Sequence, residues 1–299
     1  TTEIYTLSLH DALPISYLLM GNHEEGVAEY KKLGDILRLS GLIQDSFGFN
    51  YLINVCEKII EFEPTNLSAR EWLADVYIYR REMGKAKTLL IGLLEYLQKE
   101  EKPEGLVSIL QKLVQIEPYN RNYHRLLAET YHAIECDEEA TKELICIGDL
   151  AIEEGSKFLQ EGKNEEGYRS FLESLEALNA VLIIEPFNLE VRQKRAELLH
   201  QLGQMEQAVE EYKLVCNMTK AINNYHDALT ALFHIVELAP DNEPQAFLEL
   251  GKLCERQNKI DLAVNFYKKY ARRSLLRGDF GEVDRKSKRL NSSHVSQSR

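Results

Sequence analysis

Apolar residues return every third or fourth position along most of the chain, the period of an amphipathic helix rather than of a strand. Four apolar runs end alike, at FEPTN (62–66), IEPYN (116–120), IEPFN (184–188) and LAPDN (238–242). Proline cannot continue a helix, and it pushes the residue before it out of the helical region. An asparagine two residues later can accept a bond from the free N–H groups of a new helix. Each motif therefore predicts a helix stop, a tight turn and a helix start, with Asn66, Asn120, Asn188 and Asn242 as caps.

After each turn one pattern returns, over 67–94, 121–148, 189–216 and 244–271. A small residue sits inside the first helix (Ala74, Ala128, Ala196, Gly251), and an alanine follows twelve positions on (Ala86, Ala140, Ala208, Ala263). Small side chains at both places let two antiparallel helices approach closely. Larger residues such as Leu73, Tyr77, Leu90, Leu127, Tyr131, Leu144, Leu199, Tyr212, Leu250 and Tyr267 fill the layers between them. Three further runs, 105–118, 167–186 and 225–240, also close on proline and predict a solitary third helix after each pair. The stretch 150–164 carries Gly155 and Gly162, and these predict a frayed or kinked junction.

A first helix with leucine, a small residue and tyrosine, then a turn, an early alanine and a closing proline resembles the tetratricopeptide repeat. Gly203 matches the family's turn glycine, while Arg81, Glu135 and Asn258 take that place elsewhere. Trp72 lies two residues after the usual aromatic slot. The four alanines are 54, 68 and 55 residues apart, against about 34 in the family. The resemblance implies an all-α fold, an α-α superhelical solenoid of helical hairpins with extra third helices. In such arrays stacked neighbours share one continuous core. One domain over 17–283 follows, in modules of about 17–64, 65–118, 119–186, 187–240 and 241–283. Similar three-helix arrays suggest a bacterial protein.

Both ends resemble something else. Residues 3–16 (EIYTLSLHDALPIS) read like a translated DNA-sequencing adapter, and 284–294 (DRKSKRLNSSH) like the opposite adapter with one mismatch at Lys288. Residues 1–16 and 284–299 are therefore expected to be adapter-like artefacts, and the remainder an internal fragment of a longer protein.

The net charge is −12. The two ends carry −2 and +4, so the central piece carries −14. Such a chain repels phosphate backbones and anionic lipid surfaces, which argues against nucleic-acid and membrane partners. No apolar run reaches the ~18 residues of a membrane span. The five cysteines form no C-x-x-C and are odd in number, which fits reduced thiols in a cytoplasmic protein. Phosphate-binding, zinc-protease and nucleophile-elbow motifs are absent, so the sequence predicts no enzyme, no cofactor and no metal. His124 and His132, and likewise His226 and His234, are eight apart, too far along a helix for shared ligation. The asparagines of N-L-S at 66–68 and N-M-T at 217–219 are read as helix residues, not glycosylation sites. The basic run 267–277 reads as a solvated helix face whose cations suit a helix C-terminus.

What remains is a binding surface. In the family the first helices line a concave groove that holds an extended or helical peptide. Carried onto this chain, its lining is Glu71, Asp75 and Tyr79; Asn122, Arg125, Glu129 and His132; Gln193, Glu197 and His200; and Lys252, Glu255 and Arg256. The family's carboxylate clamp of lysines and asparagines appears only in scattered parts. The expected function is a scaffold for protein–protein interaction, with basic or polar protein segments as partners. The alternative is a regulatory or docking arm of a larger enzyme.

Overall fold

A computed structural model describes residues 22–39, 46–64, 66–100 and 103–277, together with Pro14, Tyr17 and Met20. The adapter-like stretches, Pro14 aside, lie outside the described residues. Thirteen α-helices and no strand occur among the described residues. They are α1 (His23–Leu39), α2 (Ser46–Phe62), α3 (Leu67–Tyr79), α4 (Met83–Lys99), α5 (Pro103–Ile116), α6 (Arg121–Ala133) and α7 (Asp137–Gln160). The series continues with α8 (Asn164–Ile184), α9 (Leu189–Gln201), α10 (Met205–Ala221), α11 (Tyr225–Leu238), α12 (Pro244–Arg256) and α13 (Ile260–Arg277). The chain divides into two compact units, Thr1–Glu143 and Leu144–Arg299.

Two kinds of turn join the helices. At the first kind, the E-P-x-N motif, Asn66, Asn120 and Asn188 accept from the backbone N–H of Ala69, Asn122 and Val191. Each also donates its side-chain amide to the glutamate three residues earlier, Glu63, Glu117 or Glu185. The glutamate thus ties the cap to the end of the preceding helix. The fourth motif departs from this. Ala239 replaces the glutamate, and α12 is capped by Glu243 with no side-chain bond, so Asn242 is not the expected cap.

The second kind of turn holds one residue at positive φ: Arg81, Glu135, Gly162, Gly203, Asn223 and Asn258, between 60° and 76°. In all six the next backbone N–H reaches back five residues, as in Glu82 to Tyr77, Lys163 to Phe158 and Asn224 to Thr219, at 2.8–2.9 Å. This is the Schellman closure, which satisfies a helix's last carbonyls.

The six turns share one arithmetic. A small residue lies seven positions before each positive-φ residue and another five after it. Four pairs are the expected ones. The other two are Gly155 with Gly167 across α7–α8, and Cys216 with Ala228 across α10–α11. The helices α8 and α11 are therefore not solitary. Each closes a hairpin with the helix before it, and α7 and α10 are the second helix of one hairpin and the first of the next. The junction at 150–164 is helix over most of its length. Helix α7 runs unbroken to Gln160, and Gly162 supplies the turn's positive φ.

Each unit buries its own core. In the first, Trp72, Leu73, Ile59 and Cys56 pack between α1, α2 and α3, and Leu90, Leu93, Leu110, Leu113 and Leu127 between α3 and α7. In the second, Phe171, Leu178, Val181 and Leu198 join α8 to α9. Leu199, Tyr212, Val215, Leu232, Leu250 and Phe266 continue through α9 to α13. All five cysteines are free thiols; burial raises those of Cys216 and Cys254 above the usual range.

Candidate partner-binding surface

In the first unit, α3 and α6 carry the expected residues, with different outcomes. Glu71 and Asp75 are half-buried, and both pair with Lys112 of α5, at 2.8 and 2.6 Å. Ser108 also donates to Glu71. These two carboxylates serve the packing of α5 against α3, and they share the one cation, Lys112. Tyr79 is exposed and its ring lies 4.6 Å from that of Phe49. On α6, Asn122, Arg125, Glu129 and His132 are all exposed; the His132 ring faces Asp137 at 2.8 Å.

In the second unit, Gln193, Glu197 and His200 share one face of α9, since residues three and four apart are helical neighbours. Glu197 is exposed and the other two are half-buried. On α12, Lys252 pairs with Glu249, and Glu255 accepts a bond from the Tyr267 hydroxyl at 2.7 Å. Arg256 lies over the Tyr225 ring at 5.9 Å.

Three further residues come together between α10 and α11. Tyr212 of α10 stacks on His234 of α11, with centroids 4.7 Å apart and planes at 16°. Glu237 stands one turn beyond His234, 4.0 Å from its Nδ1. Tyr212 is only 3% exposed. Burial, then the charges of Glu197 and Glu237, push its hydroxyl up to about 12. A helix-wheel reading of α11 as the hairpin partner of α10 would have found this group; treating α11 as solitary concealed it.

Two side-chain braces join helices near these residues. Arg192 Nε donates to the Pro186 carbonyl at 2.8 Å, and its Nη1 to the buried Glu211 at 2.6 Å. Arg195 also donates to Glu211, and to Asn179 at 2.7 Å. His124 occupies the same register one module earlier, facing the Pro118 carbonyl at 2.9 Å and Glu143 at 2.6 Å. It is a satisfied structural histidine, in line with the sequence reading. The basic run of α13 is partly engaged too: Lys269 and Arg273 lie over the Phe247 ring at 5.9 and 4.6 Å.

Serial hairpins with one turn geometry and one spacing of small residues define an α-helical repeat protein. Residues 189–222, the hairpin α9–α10, match the tetratricopeptide repeat family, so the chain carries a tetratricopeptide repeat. No curated protein matches the chain. Among solved structures it is similar to a Signal Transduction ATPase with Numerous Domains protein with a tetratricopeptide repeat sensor, from Pyrococcus horikoshii. That likeness has 20% identity and a TM-score of 0.35, and covers 93% of this chain but 43% of that one. It is also similar to the APC/C hetero-tetramer Cut9–Hcn1, at 13% identity and a TM-score of 0.20 over 82% of this chain and 56% of that one, and to YrrB, a tetratricopeptide protein with an unusual peptide-binding site. For YrrB itself the values are 13% identity, TM-score 0.20, and coverage of 67% of this chain and 91% of that one. No helix among the described residues is long and apolar enough to cross a membrane.

Proposed function

We propose that the chain is a protein–protein interaction scaffold that holds a basic or polar segment of a partner on the outward faces of the first helices of its hairpins, α3 and α6 in the first unit or α9 and α12 in the second. The observation that carries this is the contrast between two sets of carboxylates. Glu71 and Asp75 are tied to Lys112, whereas Glu129 and Glu197 stand exposed on α6 and α9. With a net charge of −12, the chain favours cationic over anionic partners. In this reading the chain performs no catalysis of its own and works in the cytoplasm of a bacterium. The adapter-like ends, 1–16 and 284–299, are then foreign to the protein, which resequencing of the gene tests directly.

The functional test is affinity capture with the full chain, followed by binding measurements on the captured segment. Reversal at Glu129 and Glu197 to lysine is expected to weaken binding at least tenfold, and reversal at Glu71 and Asp75 to act mainly on stability. Unchanged affinity in the Glu129 and Glu197 variants would remove the proposal.

A further inference from the structure

We propose that the chain associates head to tail with a second copy of itself, the cationic face of α13 in one copy packing antiparallel along the acidic, apolar-striped face of α8 in the next. Both helices belong to the second unit, and neither is one of those assigned to a partner segment.

The α13 face is what remains once the needs of the fold are met. The helix carries Lys268, Lys269, Arg272, Arg273 and Arg277 against one acid, Asp261, in a chain whose net charge is −12. Three of the five cations have structural work: Lys269 and Arg273 lie over the Phe247 ring, and Arg277 donates to Asn242. Lys268 and Arg272 are exposed, and among the described residues neither has an ion-pair partner. Like charges four apart repel on a helix, and both lie ahead of the last turn, where the dipole favours a cation. Neither helix stability nor packing therefore accounts for them. Leu275 and Leu276 follow on the same face, three and four residues after Arg272, and Leu276 is 86% exposed.

Helix α8 presents the complement. Glu165, Tyr168, Leu172, Glu176 and Ile183 recur at helical spacings, so they share one face, and all five are exposed. Its two carboxylates have no ion-pair partner among the described residues, and one cation, Arg169, stands at its edge. Ile183 and Phe187, in the turn that follows, are 81% and 82% exposed. Apolar residues scattered singly over a surface need no explanation, but a row along one helix face marks a place for another surface.

Spacing agrees with sign. In an antiparallel pair with Arg272 beside Glu176, Leu276 falls beside Leu172, each four residues or about 6 Å further along its own helix. Charge then fixes register while the leucines exclude water. A second copy is the occupant because one unit carries both halves of the match. Two different faces in contact give a ring or an open chain, not a two-fold dimer.

The test uses the full chain and two double variants at exposed positions, Lys268→Glu with Arg272→Glu and Glu165→Lys with Glu176→Lys. Melting curves confirm that both are folded, and sedimentation equilibrium over micromolar to submillimolar concentrations gives the mass. The mass of the unaltered chain is expected to rise above that of the monomer, and each variant alone to need at least about tenfold higher concentration to do so. An equimolar mixture of the two variants is expected to associate again. In it, α13 of the second variant still meets an unaltered α8 of the first, and the two reversed faces attract each other. An unaltered chain that stays monomeric leaves both faces to some other partner and overturns the proposal. Either variant associating as before, or a mixture that stays monomeric, would overturn it equally. The scaffold reading falls separately, only if charge reversal at Glu129 and Glu197 leaves the captured segment bound.

Discussion

Alanine at Gly155 should destabilise the protein, and alanine at Gly92 should stabilise it, although both glycines sit inside helices. A helical glycine replaced by alanine ordinarily gains about 0.5–1 kcal/mol, because the unfolded chain loses freedom. At Gly92 a Cβ would meet nothing within 4 Å, so that gain should appear in full. At Gly155 the same Cβ would lie 2.6 Å from two atoms of the Phe171 ring and 3.0 Å from the Gly167 carbonyl oxygen. Phe171 is 2% exposed and has no room to swing away, and the carbonyl belongs to the backbone of α8. Overpacking of this kind costs about 1–3 kcal/mol, which exceeds the propensity gain. The net result at Gly155 is a loss of about 1–2 kcal/mol. Urea unfolding followed by far-UV circular dichroism measures both variants. Hydrogen exchange at α4 and at α7–α8 assigns each change to its own unit. If Gly155→Ala stabilised as Gly92→Ala does, the close approach of α7 to α8 would be wrong.

Two further outcomes follow from buried groups. Glu211→Ala leaves Arg192 and Arg195 without the carboxylate they share and should cost about 2–4 kcal/mol in chemical denaturation. The exposed Glu138–Lys142 pair, removed the same way, should cost under ~0.5 kcal/mol. Stability should also fall on the alkaline side. Below the ordinary phenol range Tyr212 is neutral in both states. From roughly pH 10 the unfolded chain loses this proton, while the folded chain keeps it until about 12, so the folded state loses ground across that window. The loss from Tyr212 is at most ~3 kcal/mol, and Tyr212→Phe should flatten the profile; an unchanged profile would show that the tyrosine is not held neutral.

Most of the helices and four of the hairpins were legible from proline turns and alanines alone, because both act through local backbone and packing rules. The other two hairpins were not. Cys216 and Gly155 fill the small-residue place as well as alanine does, but neither looks like it, and α7 and α10 end without a proline. Asn223 and Glu135 take positive φ at turns where glycine would have given the signal. The same gap hid Tyr212, His234 and Glu237, whose meeting depends on α11 folding back on α10. Glu71 and Asp75 illustrate a different limit. Their outward register was readable, but the lysine that claims them comes from α5, about forty residues later, and nothing in the helical period of α3 reveals it.

The central claim is that α10 is shared by two equivalent hairpins. Native-state hydrogen exchange across α9, α10 and α11 tests it most directly. Amides of α11 protected to the same degree as those of α9 are the expected result. An α11 that exchanges early, while α9 and α10 stay protected as a pair, would contradict it.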